Sequence, residues 1–504
     1  MSIQVKALMD HNREQGRQTP HKNHRLFFDE PFFTTGKLHT ERLFVFLKYQ
    51  RFVIFILVLL CMLCNVGLAC ASFTIEDEKK LGKEFYEKLS KSQVLIRNEK
   101  VNIYITELGQ KILSQTDKAP FDFQFHVIRS SAINAFATPG GYVYVNRGLI
   151  NLVEKESELA GILAHEIAHV NARHIANIIE KSKKIGIATL AAILAGAFLG
   201  GGGDVTAAVT GFSLAAATSL NLKYSREHEE EADRLGLNYL VSAGYDGTAM
   251  LDFLKTMRRY EFYSNSIPSY FLTHPGTDDR IRYLDASIQT APLRTGSNSI
   301  LGNLRRIQTI LMFGERNLEV SLNHFQNELK KDANDVDALY GLAVTQERLG
   351  RTNESLATFR AALLISPDDG DILRDLGITY FKFGRTSEAI HFLQKAVNID
   401  HKNIDTLLYL GRSYEAMGNY SAALEAYKGL EKIKANDADV YYNIAMAYGK
   451  TNNPGDSHYY FGIYFKMKQK NDSALFHFKE ALKYYPEGVE KSHEIKREIT
   501  SLTR

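Results

Sequence analysis

The chain has 504 residues and a formal charge of +3. That near-neutral balance, without a basic stripe or a recognised binding motif, speaks against a nucleic-acid partner. Its three cysteines, Cys61, Cys64 and Cys70, lie in one apolar segment near the N-terminus. A chain cut after that segment holds none, which excludes a disulfide framework and zinc held by thiolates.

Residues 1–50 are polar and basic without a clear pattern. Residues 52–71 carry no charge, follow Lys48 and Arg51, and end in Ala69-Cys70-Ala71, the small-x-small form of a signal-peptidase site. The expectation is export with a mature chain starting at Ser72. The alternative is an uncleaved N-terminal anchor, since the run is long enough to span a bilayer. Further on, Pro139-Gly140-Gly141 signals a turn, and Tyr142-Val143-Tyr144-Val145 is a short aromatic and β-branched strand.

His165-Glu166-Ile167-Ala168-His169 follows at the end of an apolar helical pattern that begins at Glu158 and contains no Pro. Residues four apart share a helix face, so both imidazoles can reach one metal ion. Glu166 can then take a proton from a metal-activated water. Five residues alone also fit two surface histidines, so a third ligand decides. His174 comes five residues after His169, with no Gly midway, and is read as a polar residue on a continuing helix.

Residues 185–222 contain one charge, Asp204, and Gly200 to Gly203 break the run. Neither half is a persuasive membrane span. The run is expected to form a mobile or membrane-touching flap hinged at the glycines, or else two helices buried in the core. Beyond it, Glu229 and Asp233 are four apart on a second helix. Glu229 supplies the third ligand, and Asp233 accepts the remaining N–H of a ligating His. Glu227 and Glu230 read as solvated, and Glu231 as turned aside toward an Arg. Two histidines, one Glu and one water leave an open position, as catalytic zinc sites do.

His165-Glu-Ile-Ala-His-Val-Asn-Ala-Arg-His and Ser225-Arg-Glu-His-Glu-Glu-Glu-Ala-Asp-Arg-Leu-Gly together resemble the metallopeptidase family that includes HtpX, Oma and the CAAX prenyl proteases. Asn134-Ala-Phe-Ala-Thr-Pro-Gly-Gly-Tyr-Val-Tyr-Val and Thr273-His274-Pro275 with Arg280 fit the same family, in its order. The resemblance covers roughly residues 75 to 290. It implies that the strand Tyr142 to Val145 is a sheet edge on which an extended peptide can pair. Asn134, Pro139, Gly140, Gly141 and Arg280 would then contact substrate. It gives His274 a site role, either as hydrogen-bond donor to the oxyanion or as a zinc ligand in a resting state.

From about residue 300 the chain repeats with a period of 34. Gly350, Gly384 and Gly418 keep that step, as do Ala343, Gly377, Gly411 and Ala445. This is the pattern of tetratricopeptide repeats, helix pairs stacked into a superhelix that bind polypeptide segments. After Asn453-Pro454 the small residues shift by 17, which predicts one unpaired helix near Asp439–Gly449.

The expected class is α+β and mainly helical. Residues 1–71 form an N-terminal extension and signal peptide, 72–295 a zincin-type peptidase domain with a small sheet, and 296–504 an all-α tetratricopeptide solenoid. One zinc per chain, held by His165, His169 and Glu229, would serve a periplasmic endopeptidase with Glu166 as proton acceptor. The combination resembles bacterial envelope quality-control proteases. Its expected substrate is unfolded or misfolded polypeptide, and its expected partner the outer-membrane protein assembly machinery, engaged through the array. The competing readings are a non-proteolytic chaperone or adaptor and an integral membrane protease.

Overall fold

The computed structural model describes residues 73–117, 119–180, 186–199, 224–264, 268–290, 296–313 and 317–503, together with Ile56. The chain divides into two units, Met1–Ser72 and Phe73–Arg504, and the second holds both the sheet and the repeat helices. Apart from Ile56, the expected signal segment lies outside the described residues, as do the Gly200–Gly203 hinge and residues 205–222.

Two helices, α1 (Ile75–Lys91) and α2 (Glu99–Leu113), precede three short strands, β1 (Gln124–Ile128), β2 (Ala135–Thr138) and β3 (Tyr142–Asn146). The sheet order is β1-β3-β2, with β3 parallel to β1 and antiparallel to β2. This corrects the expectation for Tyr142 to Val145. That strand is central and paired on both sides, and the outer strands are Gln124–Ile128 and Ala135–Thr138. The β2–β3 turn carries Gly140 at φ +87° and Gly141 at φ +91°, conformations that favour glycine. A Cβ at Gly140 would stand 2.7 Å from the Glu78 carbonyl, so the turn lies directly on α1.

After α3 (Arg147–Leu152) comes the central helix α4 (Glu156–Asn171), in which every residue from Glu156 to Val170 is buried. A helix buried all round has no solvent face to mark it by polarity. Leu159, Leu163 and Ile167 are fully enclosed, each contributing about 1.5–3 kcal/mol of apolar burial. At its first turn the buried Glu156 carboxylate accepts from the hydroxyls of Tyr104 and Tyr245 and the backbone N–H groups of Ile300, Leu301 and Gly302.

At its other end α4 does not run on through His174, as the sequence suggests. Ala172 caps it, Arg173 adopts φ +55°, and α5 (His174–Glu180) starts afresh. Next comes α6 (Ile187–Leu199), whose Leu190, Ile193 and Leu194 are buried with Leu81, Phe85 and Tyr144. One face of this helix is thus packed into the core, while Ala188 and Thr189 are exposed. Among the described residues no helix is long and apolar enough to cross a membrane.

On α7 (Arg226–Ser242) the buried residues are Glu229, Ala232, Asp233, Gly236, Leu237 and Leu240, a single helical stripe. Ser225 caps this helix by accepting from the His228 N–H. The stripe lies against α4, and Gly236 marks the closest approach. Helices α8 (Thr248–Ser264), α9 (Ser269–Thr273) and α10 (Thr277–Thr290) complete this region. Next, α11 (Leu304–Met312) falls on the array side of the expected boundary at 295/296. Its Leu304, Ile307 and Leu311 nevertheless join the same core as α4.

From α12 (Leu318–Lys331) onward the chain is a stack of helices. These are α13 (Val336–Arg348), α14 (Thr352–Ile365), α15 (Gly370–Lys382), α16 (Thr386–Ile399), α17 (Ile404–Ala416) and α18 (Tyr420–Ile433). Then follow α19 (Ala438–Lys450), α20 (Pro454–Met467), α21 (Asn471–Leu482) and α22 (Glu490–Leu502). Gly350, Gly384 and Gly418 take φ of +75°, +78° and +75° in the inter-helix turns, as expected, and Asn452 takes the next such position at φ +57°. The expected unpaired helix does not occur, because α19 packs against both α18 and α20. The half-period shift has a different cause. Gly462 on α20 admits Phe478 from α21, as Gly411 admits Tyr427, so α20 packs closely on both sides.

A methyl group at Gly236 would stand 3.1 Å from the backbone N and Cα of His165. Gly236→Ala is expected to wedge α7 from α4 and destabilise the protein by about 1–3 kcal/mol. Urea unfolding checks this, as a lower midpoint at unchanged slope.

Candidate active site

One helical turn of α4 brings the Nε2 atoms of His165 and His169 to 2.9 Å from each other. From the facing stripe of α7, Glu229 places Oε2 3.4 Å from His165 Nε2 and Oε1 3.6 Å from His169 Nε2. His274 ends α9 just before Pro275. Its Nδ1 lies 3.3 Å from His165 Nε2 and 3.0 Å from Glu229 Oε1. One donor atom from each of the four residues falls within 4.8 Å of the others, and all four side chains are buried.

A tetrahedral ion with bonds of about 2.0–2.1 Å sets its ligand atoms roughly 3.3 Å apart. The donor separations of 2.9 to 3.6 Å lie on either side of that value, so the group could hold a metal ion. Glu166 adds a second mark. Both of its carboxylate oxygens are buried without a hydrogen bond, and His274 Nε2 stands 3.4 Å from one of them. An orphaned buried carboxylate is costly unless the site uses it. Burial raises its pKa, only partly offset by His274 and His165, so it holds a proton more readily than an exposed Glu.

Asp233, one turn after Glu229, lies 2.8 Å from His165 Nδ1 through Oδ1. Arg280, on α10, holds both acids. It donates twice to Asp233 at 2.7 Å and places Nη1 2.8 Å from Glu229 Oε2. The family resemblance assigns Arg280 to substrate. The structure instead encloses its guanidinium behind the cluster, where two buried carboxylates attract it. Burial by itself pushes the Asp233 carboxyl up, but Arg280 and His165 outweigh it and hold the group well below the usual range. At Glu229 the same opposition is won by His274 and Arg280.

Asn134 precedes β2 and is buried, its carbonyl accepting from the Asn146 N–H. Pro139, with Ala137 and Thr138 of the edge strand, shares with His169 and Tyr224 a crevice of about 10 Å³. Gly140 and Gly141 lie in the adjoining turn. The edge strand therefore lies beside the site, and the crevice it shares with His169 is too small for a peptide.

Sequence reasoning missed several neighbours. Tyr224 stacks on His169 at 3.8 Å, Tyr270 stacks on His274 at 4.4 Å, and the Tyr283 hydroxyl donates to Asp233. Tyr270 and His274 are four apart, a spacing that could have flagged the pair. Tyr283 carried no such signal. His174 was set aside as a ligand, and it stands outside the four-residue group, yet its Nδ1 is 2.8 Å from His169 Nδ1. Glu231 reaches His174 Nε2 at 3.2 Å, where the sequence reading expects an Arg.

Residues 97–288 match the model of Peptidase family M48, and residues 335–402 and 380–447 match tetratricopeptide repeat models. The chain carries a family M48 peptidase domain followed by tetratricopeptide repeats. The beta-barrel assembly-enhancing protease of Yersinia pestis is 32% identical over 223 residues, 44% of this chain and 46% of that protein. The mitochondrial metalloendopeptidase OMA1 of Schizosaccharomyces pombe is 27% identical over 224 residues, 44% of this chain and 64% of that protein. The chain spans about half the length of the beta-barrel assembly-enhancing proteases it matches. Among solved structures, MamA is 24% identical and covers 31% of this chain and 91% of its own, with a TM-score of 0.29.

Removing the Asp233 charge should loosen the hold on His165. Asp233→Asn is expected to weaken metal binding by about 10–100-fold, measured by competition with a chromophoric chelator. Unchanged affinity would show that Arg280 and the fold alone keep the imidazole in place.

Proposed function

We propose that this chain is a zinc-dependent endopeptidase of the bacterial cell envelope that degrades misfolded or stalled outer-membrane proteins. Its repeat array recruits the substrate or the assembly machinery. The observation that carries the reading is the convergence of His165, His169, Glu229 and His274 within 4.8 Å beside the Glu166 carboxylate, which is buried without a hydrogen bond. The names of the similar proteins, a beta-barrel assembly-enhancing protease and a metalloendopeptidase, support the reaction class and the setting. The uncharged segment at 52–71 with its small-x-small end supports export to the periplasm.

His165, His169 and Glu229 would hold the zinc, with Asp233 and Arg280 orienting His165 and Glu229. When bound, the ion would supply Lewis-acid polarisation of the scissile carbonyl and of the attacking water. Glu166 accepts the proton of that water and delivers it to the departing amine nitrogen, so the peptide is cut without a covalent intermediate. Substrate lies extended along β2, Ala135–Thr138, between Asn134 and the Pro139-Gly140-Gly141 turn. Main-chain pairing there tolerates varied side chains, which suits unfolded substrates.

His274 makes the enzyme latent. Its Nδ1 stands where a fourth donor to the ion would stand, and its Nε2 faces Glu166. With all five side chains enclosed, neither water nor peptide has a place until the α9 segment moves.

The test is cleavage of casein by the purified chain. Activity should be abolished by a zinc chelator, and Glu166→Gln should lower kcat by about 10²–10⁴-fold with one zinc still bound. Activity that survives both treatments would sink the reading.

Latency predicts that His274→Ala raises casein cleavage above wild type. A drop of about 10²–10³-fold would assign the side chain to oxyanion stabilisation instead.

A further inference from the structure

The two helix-borne histidines are supported in different ways. His165 turns Nδ1 to the carboxylate of Asp233, whereas His169 turns Nδ1 to another imidazole, that of His174, at 2.8 Å. His174 is 1% exposed and stacks on His228 at 4.4 Å. Its Nε2 reaches Glu231 Oε2 at 3.2 Å, and the Glu231 side chain is 48% exposed.

Only one assignment of protons satisfies the three groups together. For the Nε2 lone pair of His169 to face the donor cluster, its Nδ1 must carry the proton. His174 Nδ1 then accepts, His174 Nε2 carries the proton, and the Glu231 carboxylate accepts from it. The chain of donors runs in one direction and ends on a carboxylate that water can reach.

The backbone is bent to make this contact. On a continuing α-helix, a residue five positions after His169 would lie about 140° around the axis, away from that imidazole. Arg173 interrupts the helix at φ +55°, a conformation that L side chains rarely adopt. It is held there by an Nε bond of 2.7 Å to the buried Glu78 and an Nη2 bond of 3.0 Å to the Phe73 carbonyl. An unfavourable backbone conformation kept in place by a buried carboxylate points to a purpose in what it positions.

We infer that His174 and Glu231 form a relay behind His169 that fixes its metal-accepting tautomer, with His174 as the positioning residue. The inference rests on the zinc reading of the site and adds a support for the second histidine, which that reading left without one. Arg173 sets the relay's geometry, and Glu231 is its outer end.

The experiment measures zinc and cobalt affinity of the full chain by chelator competition, with the cobalt visible spectrum as a second readout. His174→Leu keeps the bulk and removes the acceptor, and should weaken binding by about 10–100-fold. His174→Asn returns an acceptor near the Nδ1 position and should recover most of that loss, which a purely packing role would not allow. Glu231→Ala, at a half-exposed position that leaves folding intact, should give a smaller loss and a shifted cobalt spectrum.

Wild-type affinity in His174→Leu, or Asn no better than Leu, overturns the relay while the zinc site stands. Should His174→Leu fail to fold, Glu231→Ala decides, and unchanged affinity and spectrum there overturn it. A wild-type chain that binds neither ion overturns the relay and the zinc reading together.

Discussion

Everything at the site depends on how closely α4 and α7 cross. The two histidines sit on one helix and the two acids on the other, so the cluster exists only if the axes approach within reach of a Glu side chain. Gly236 on α7 meets the backbone of His165 itself, with 3.1 Å between a would-be Cβ and the His165 backbone. A larger residue would hold the helices apart and open the separations of 3.4 and 3.6 Å between Glu229 and the histidines. Close crossing in turn forces Glu229 and Asp233 into a dry interior, where two unpaired carboxylates would cost several kcal/mol each. Arg280 answers that requirement by contacting both, and its role follows from the crossing rather than from substrate.

What was legible in the sequence was whatever a short spacing determines. The i, i+4 pairs His165/His169 and Glu229/Asp233 share faces by helix geometry alone, and the Pro139-Gly140-Gly141 turn needs only local backbone rules. The 34-residue step placed the inter-helix glycines correctly. The misreadings share a cause, which is that each depended on contacts made between segments far apart in the chain. Strand order needs a partner from elsewhere, and nothing within Tyr142 to Val145 told that the strand would be central rather than the edge the resemblance implied. The break at Arg173 is stabilised by Glu78, 95 residues earlier, and nothing local marks it. Without that break His174 falls on the wrong side of the helix and Glu231 appears to have no use. Gly462 misled for the opposite reason. Its small-residue signal was real, but it reported close packing against α21 rather than a missing partner.

The repeat array is not hung from the peptidase domain on a free linker. Glu156, at the start of the helix that carries the histidines, gathers the N–H groups of Ile300, Leu301 and Gly302 within 2.9 Å. Leu304, Ile307 and Leu311 then share the core of that helix. Arg306, from the same segment, bridges Asp337 of α13 with Asp369 and Asp371 at the start of α15, and Lys100 of α2 pairs with Asp371. Arg306 lies only 9% exposed with its face over the Tyr340 ring, so these pairs are screened far less than surface ones.

Such a junction changes what the array can do. A flexible tether would let a captured polypeptide sample many positions, and the gain would be only an effective concentration. A junction built on a buried carboxylate with five donors and a bridging guanidinium fixes the first repeats to the helix that bears His165 and His169. The first repeats and the two histidines therefore keep a set relation to one another. The element that anchors the array and the element that carries the histidines are one helix.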